Sequence, residues 1–152
     1  MDFTITAMAS DVADRLRADI SAGLVPAQRR VHEEAGAPCR QCLRVNDPGE
    51  EMLLFTYQPF LGDSPYAVPS PVFLHAMPCA TYAGSALPAF VRKGGLRAIR
   101  SYDAGHAIHE GEVVPADKVE SVISRMLDDE RAEYVHVHCA VNGCFTFRAD
   151  RA

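Results

Sequence analysis

Residues 134–148 read YVHVHCAVNGCFTFR and give the clearest indication of architecture in the chain. Valine, tyrosine and phenylalanine on both sides of Asn142-Gly143 are typical of strands, and Asn-Gly favours the tight turn that joins two antiparallel strands. The sequence therefore predicts a C-terminal β-hairpin with strands over residues 134–141 and 144–149.

A two-residue turn at Asn142-Gly143 would fix which residues of that hairpin face each other. The expected pairs are Val141 with Cys144, His138 with Phe147 and His136 with Ala149. Side chains alternate between the two faces of a strand, so the two histidines would share one face. The opposite face would carry Cys139, Cys144 and Arg148. Unless a bulge changes this register, at most one of the two sets can meet residues 38–42.

Apolar periodicity outside the hairpin predicts two main helices. The first follows Ser10, the expected N-cap, and carries an apolar stripe at Val12, Leu16 and Ile20. The second opens at Pro115 and carries apolar residues at positions 119, 122, 123, 126 and 127.

Strand-length runs occur at residues 2–8, 29–33, 52–57, 72–76, 96–102 and 107–114, and the proline-rich residues 58–71 predict an irregular loop or lid. We predict an α+β fold: an antiparallel or mixed β-sheet with two main helices packed on one face and the C-terminal β-hairpin.

Composition narrows the class of protein. The chain has 152 residues, which suits a single domain over residues 1–152, and a net charge of −5, which argues against a nucleic-acid binder. No apolar run approaches the roughly 20 residues of a membrane span. Five cysteines without an export signal predict reduced thiols and a cytoplasmic protein.

Short motifs along the chain resemble the bacterial domain-of-unknown-function family 1203. They are PCR at 38–40, GE at 49–50, LLFTY at 53–57, SPY at 64–66, PVFLH at 71–75, YDA at 102–104 and the closing hairpin from YVHVH at 134–138 to Arg148. Their joint order carries the resemblance, which covers nearly the whole chain. It implies a small standalone bacterial protein and assigns no reaction.

Cys39 and Cys42 form a C-x-x-C motif. This spacing suits a zinc knuckle, because a turn aims both thiolates at one ion, and it suits a thiol–disulfide site. Residues 46–49 read NDPG, a strong turn, so the helix that follows a thioredoxin-like motif is not expected. Structural thiols, a metal site, a redox pair and a nucleophile all remain open at this point.

His136 and His138 form an H-x-H motif on a predicted strand, where both imidazoles point the same way. That arrangement suits a metal or the polar floor of a pocket. We predict no cofactor, with zinc as the alternative. The candidate metal ligands are Cys39, Cys42, His136 and His138.

Three functions follow from these residues. The first is a module that binds a small anionic molecule in a polar pocket, because arginines on strands hold carboxylates or phosphates well. The candidate ligand-binding residues are Arg40, Tyr57, Tyr66, Arg100, Cys144 and Arg148. The alternative is a cysteine- or zinc-dependent enzyme built on Cys39, with His75 or His136 as base. The second alternative is a structural or partner-binding protein that forms a homodimer through an edge strand.

Overall fold

The computed structural model describes residues 2–60 and 62–152. In chain order its elements are β1 (Phe3–Thr6), α1 (Ser10–Ser21), β2 (Ala27–Val31), β3 (Glu51–Tyr57), β4 (Ser70–His75), β5 (Ala83–Gly84), α2 (Ala89–Arg92), β6 (Leu96–Tyr102), β7 (Ile108–Pro115), a 3-10 turn (Ala116–Lys118), α3 (Val119–Asp128), β8 (Tyr134–Cys139) and β9 (Phe145–Arg151).

The described strands form two antiparallel sheets. The large sheet has the order β5-β1-β9-β8-β6-β7, and the small sheet has the order β2-β3-β4. A single parallel bridge between Cys39 and Phe73 links the loop before β3 to the small sheet. The predicted α+β class, with mainly antiparallel sheet and a C-terminal hairpin, is confirmed.

Each main helix packs against one sheet. The stripe predicted for α3 is buried at Val119, Val122, Ile123, Met126 and Leu127, where it contacts the inner face of the large sheet. Burial of each such side chain contributes roughly 1.5–3 kcal/mol, so this stripe stabilises the packing of α3 on the large sheet. The apolar side of α1 packs with Met52, Val72 and Leu74 of the small sheet.

The start of α1 differs from the prediction. Ser10 is the first helical residue and Ala9 is the N-cap, which makes no side-chain capping bond. The Ser10 hydroxyl is instead 2.9 Å from Thr81 Oγ1. The serine therefore ties the helix to the segment before β5 rather than capping it.

The register of the C-terminal hairpin also differs. The observed pairs are Val135 with Ala149, His136 with Arg148, Val137 with Phe147 and His138 with Phe145. Thr146 has no partner between the last two pairs, so it forms a β-bulge. The loop is also longer than two residues, since Cys139 N–H donates to Cys144 O at 2.9 Å.

This bulge exchanges the faces of β9. Arg148 joins His136 on the face away from α3, and Phe147 enters the core under α3. The predicted pairs of His138 with Phe147 and of His136 with Ala149 are therefore wrong, because the extra residue shifts the alternation by one.

Candidate metal centre and adjoining cavity

Four side chains from three segments converge at the end of the small sheet. Cys39 and Cys42 come from the loop before β3, His75 ends β4, and Cys79 follows four residues later. Their donor atoms all lie within 4.8 Å of one another, and we call this group the metal centre. The sulfur atoms of Cys39 and Cys79 are 3.8 Å apart, and Cys42 Sγ is 3.4 Å from His75 Nδ1.

These distances match the edges of a zinc tetrahedron. Zinc bonds of about 2.3 Å to sulfur and about 2.0–2.1 Å to nitrogen place neighbouring donors about 3.8 Å apart for two sulfurs and about 3.6 Å apart for sulfur and nitrogen. The two sulfurs of Cys39 and Cys79 are at the expected sulfur–sulfur distance. The distance between Cys42 Sγ and His75 Nδ1 is within 0.2 Å of the expected sulfur–nitrogen distance. The residues therefore fit a four-coordinate zinc ion without rearrangement of these pairs.

A tight turn presents the two cysteines of the C-x-x-C motif. The Leu43 N–H donates to Cys39 O at 3.0 Å, and the Cys39 N–H donates to Arg44 O at 2.9 Å. Leu43 has a φ of 54°, a left-handed conformation that a leucine adopts only when its surroundings hold it there. Its side chain is buried in the core, which supplies that constraint. The turn is therefore a rigid knuckle.

The three thiols of the metal centre have different pKa values. A hydrogen bond from the Cys42 thiol, together with backbone N–H donors, lowers the pKa of Cys39 to about 4. The same bond and burial raise the pKa of Cys42, because its proton is held against Cys39. Burial raises the pKa of Cys79. One thiolate is thus already favoured, and a metal ion would displace the remaining protons.

A second layer of polar groups surrounds the four donors. His75 Nε2 lies 3.3 Å from Glu50 Oε1, off the line of a hydrogen bond, and has no hydrogen-bond partner among the described residues. A carboxylate beside the free ring nitrogen is the usual support of a metal-bound histidine. Arg17, nearly buried, donates from Nε to His75 O at 2.9 Å, and its Nη2 lies 3.7 Å from Cys79 Sγ.

The Arg17 guanidinium suits the charge of the centre. Three thiolates around Zn²⁺ leave a single net negative charge, and burial of that charge is unfavourable unless a cation lies nearby. The Arg17 Nη2 also donates to Gln41 Oε1 at 2.8 Å, and Gln41 lies between the two cysteines of the knuckle.

The sequence interpretation named two of the four donors, Cys39 and Cys42, as metal ligands and gave His75 only as a catalytic base. It missed Cys79 and Arg17. It sought a second C-x-x-C, whereas the other two donors are His75 and Cys79, an H-x-x-x-C pair. That spacing lies within the range found in zinc sites and was the available signal.

The second predicted metal pair lies elsewhere. His136 and His138 sit on β8 with ring centroids 6.1 Å apart, among the rings of Phe60, Tyr102, Tyr134 and Phe145; we call this the histidine cluster. Burial lowers the pKa of His136 to about 3 and that of His138 to about 4. No group of three or more metal donors in the described residues includes either histidine.

A cavity of about 1160 Å³ opens beside the knuckle, bordered by β3 and β4, by α2 and by the β8–β9 loop. We call it the basic cavity, because Arg40, Arg44, Arg92, Lys93 and Arg97 line it. Cys144 lines it as well. Of the six predicted ligand-binding residues, the structure thus brings Arg40 and Cys144 together.

The other four predicted ligand-binding residues lie outside the basic cavity. Tyr57 ends β3, and Tyr66 is exposed in the proline-rich loop. Arg100 pairs with His136 across β6 and β8. Arg148 lies over the Tyr134 ring at 4.1 Å and pairs with Asp150. Arg148 lies there because the bulge in β9 turns its side chain towards the histidine cluster.

The fold and the four converging donors define an α+β protein with a candidate centre of three cysteines and one histidine. Residues 36–151 match the model of the family described as protein of unknown function (DUF1203), and the chain belongs to that family. No curated protein and no solved structure matches the chain. Among the described residues, no helix has the length and apolar character needed to cross a membrane.

Proposed function

We propose that this protein binds one zinc ion through Cys39, Cys42, His75 and Cys79, and that the ion has a structural role. The observation that carries the proposal is the convergence of four donor atoms within 4.8 Å of one another, with two contacts, Cys39–Cys79 and Cys42–His75, close to the edge length of a zinc tetrahedron. Four protein ligands complete the zinc coordination shell and leave no position for a substrate. Thiolate-rich tetrahedral sets favour zinc over the hard cations Mg²⁺ and Ca²⁺.

The role we propose for the ion is to fasten the junction of the two sheets. The knuckle contacts both of them: Arg40 N–H donates to Phe73 O of β4 at 2.9 Å, and the Arg40 side chain donates to Phe145 O of β9. The knuckle also accepts a bond from Met8 N–H, just before α1, at 3.0 Å. Zinc would hold the knuckle in place from the side of His75 and Cys79.

Catalysis by the Cys39 thiol has less support. Cys39 is fully buried, with 0% of its surface exposed, so an acyl substrate has no approach to its sulfur. The low pKa of this thiol is what a metal-binding cysteine needs as well. His136, the other base considered, belongs to the histidine cluster.

The test compares two cysteine substitutions. Cys79→Ser removes one ligand, and we expect the purified variant to lose stoichiometric zinc by elemental analysis and to unfold at a lower temperature. Cys144→Ser is the matched control, because Cys144 is not one of the four clustered donors. We expect the control to keep one zinc per chain.

A variant that fails to fold would leave no protein to assay, so the wild-type chain provides a second measurement. After removal of metal under reducing conditions, titration with Co²⁺ should give the visible spectrum of a tetrahedral thiolate complex at one equivalent. Equal zinc content in Cys79→Ser and Cys144→Ser, or an octahedral cobalt spectrum, would contradict the proposal.

A further inference from the structure

The basic cavity concentrates positive charge in an acidic protein. Among the described residues, five cations line it and Asp47 is the only carboxylate that does so. The chain as a whole carries a net charge of −5. Such a concentration against the overall sign of the protein creates a local positive potential and favours an anionic ligand.

Carboxylates in the described part of the chain leave these five cations without an ion pair. In the described residues, none of Arg40, Arg44, Arg92, Lys93 and Arg97 forms an ion pair. Arginines elsewhere do form such pairs, at Arg17, Arg29, Arg125, Arg131 and Arg148. The charges around the cavity are therefore available to an anion from solution.

Two of the five cations are buried. Arg40 is 4% exposed and Arg97 is 8% exposed. Arg40 donates to the carbonyls of Phe145 and Pro38, and Arg97 donates to those of Leu96 and Phe90. Carbonyls satisfy N–H groups but carry no net charge, and no carboxylate in the described residues pairs with either guanidinium. The Nε atom of Arg97 is buried and has no hydrogen-bond partner in the described residues.

The chain between α2 and β6 gives Arg97 its space. Gly95 has a φ of 81°, and a Cβ atom at this position would lie 3.0 Å from Arg97 Nη1. A glycine here thus satisfies both the left-handed backbone and the close approach of the guanidinium. The neighbouring residues therefore hold the Arg97 side chain in a defined position.

Apolar groups form the rest of the wall. Leu43, Leu54, Phe73 and Phe90 line the same cavity as the cations. Its volume exceeds the space that an inorganic ion requires and suits an organic molecule. A ligand that matches both parts of the wall has an anionic group and an apolar body.

We propose that the basic cavity binds a small organic phosphate, with the phosphate group held by Arg40, Arg97, Arg92 and Lys93 and the apolar body against Leu54 and Phe73. A phosphate carries more charge than a carboxylate and accepts several guanidinium bonds at once, which suits five cations beside one carboxylate. This site adjoins the metal centre, because the knuckle contributes both Arg40 and Cys42 to the wall of the cavity, but the four zinc donors are not the groups that would hold the phosphate.

The experiment uses phenyl phosphate as probe, with inorganic phosphate and phenol as its two halves. Isothermal titration calorimetry on the zinc-loaded full chain should detect binding of phenyl phosphate, weaker binding of inorganic phosphate and no binding of phenol. Higher salt should weaken the binding of phenyl phosphate. Binding of phenol equal to that of phenyl phosphate, or no binding of any probe, would overturn the proposal.

Two double variants remove the same charge from different places. Arg92→Gln with Lys93→Gln changes exposed residues of the cavity, and we expect about tenfold weaker binding of phenyl phosphate from the loss of charged hydrogen bonds. Arg15→Gln with Arg30→Gln is the matched control on exposed residues outside the cavity. Equal weakening in both double variants would mean that only net charge matters and would overturn the assignment. Zinc content, measured in the same samples, separates this result from any failure of the metal centre.

Discussion

The metal centre and the histidine cluster are both buried, and both contain residue types that can bind metals. They differ in the number of chain segments that supply those residues. The metal centre takes donors from a knuckle, a strand end and a loop, and all of them point to one volume. The two histidines of the cluster stand side by side on one strand, with ring centroids 6.1 Å apart. A shared face of a strand aligns side chains in parallel, whereas convergence on an ion requires segments that arrive from different directions.

Their surroundings differ in the same sense. The metal centre has Glu50 beside His75 and the Arg17 cation near its sulfurs. The histidine cluster has aromatic rings around it, and burial first, then His138, Arg148 and Arg100, disfavour protonation of His136. One site is arranged for a bound cation, and the other is arranged to keep its imidazoles neutral.

Removal of the metal should have the largest effect. Treatment with a strong chelator under reducing conditions should lower the free energy of unfolding by at least about 5 kcal/mol, because metal binding and folding are coupled in thiolate zinc sites. Urea unfolding followed by circular dichroism, with and without added Zn²⁺, measures the change. If removal of the metal left the free energy of unfolding unchanged, the proposed difference between the metal centre and the histidine cluster would be wrong.

Acid pH should reveal the histidine cluster. The folded-state pKa values of about 3 for His136 and about 4 for His138 lie below the ordinary histidine value of 6.5, so between pH 4 and 6.5 the unfolded chain binds more protons than the folded one. The contribution of the two neutral histidines to the free energy of unfolding is fully present above about pH 6.5. It declines as the pH falls, by up to about 1.4 kcal/mol per pH unit for each histidine.

His136→Phe isolates that contribution, because phenylalanine suits the aromatic neighbours of His136. Urea unfolding at pH 7, 6 and 5 should show a shallower pH dependence in the variant than in the wild type. The acid sensitivity of the metal centre is common to both proteins and cancels in the difference. Identical slopes would show that His136 is not held neutral by the fold.

A change at Glu50 should have a smaller effect and sharpen the account of the metal centre. Glu50→Gln keeps the shape of the side chain and removes the charge beside His75 Nε2, so we expect zinc affinity to fall by about 10–100-fold. Competition with a chromophoric chelator measures this change. The neighbouring Glu51→Gln is the control, since that carboxylate pairs with Arg29 on the surface. A loss as large in the control would contradict the supporting role of Glu50.

The pattern of apolar residues along the chain predicted most of the secondary structure. The apolar stripe of α3 and the alternation of the strands depend only on residues that are close in sequence. The hairpin register failed for a physical reason: a bulge at Thr146 has no signature in the residue types around Asn142-Gly143. One unpaired residue was enough to move Arg148 from the expected anion site to the histidine cluster.

The sites show the same limit. Cys39 and Cys42 are close in sequence and were found together, but Cys79 joins them through tertiary structure, 37 residues after Cys42. Arg40 was expected to bind an anion with Arg100 and Arg148, yet its companions in the cavity are Arg92 and Arg97. Arg92 and Arg97 were not among the predicted ligand-binding residues, because nothing in the local sequence shows that α2 and β6 lie close to the knuckle.

Zinc X-ray absorption on the protein purified without added metal tests the central claim most directly. The account predicts one zinc per chain, with three sulfur neighbours at about 2.3 Å and one nitrogen neighbour at about 2.0–2.1 Å. A protein that holds no zinc, or a zinc ion surrounded only by nitrogen and oxygen, would contradict it.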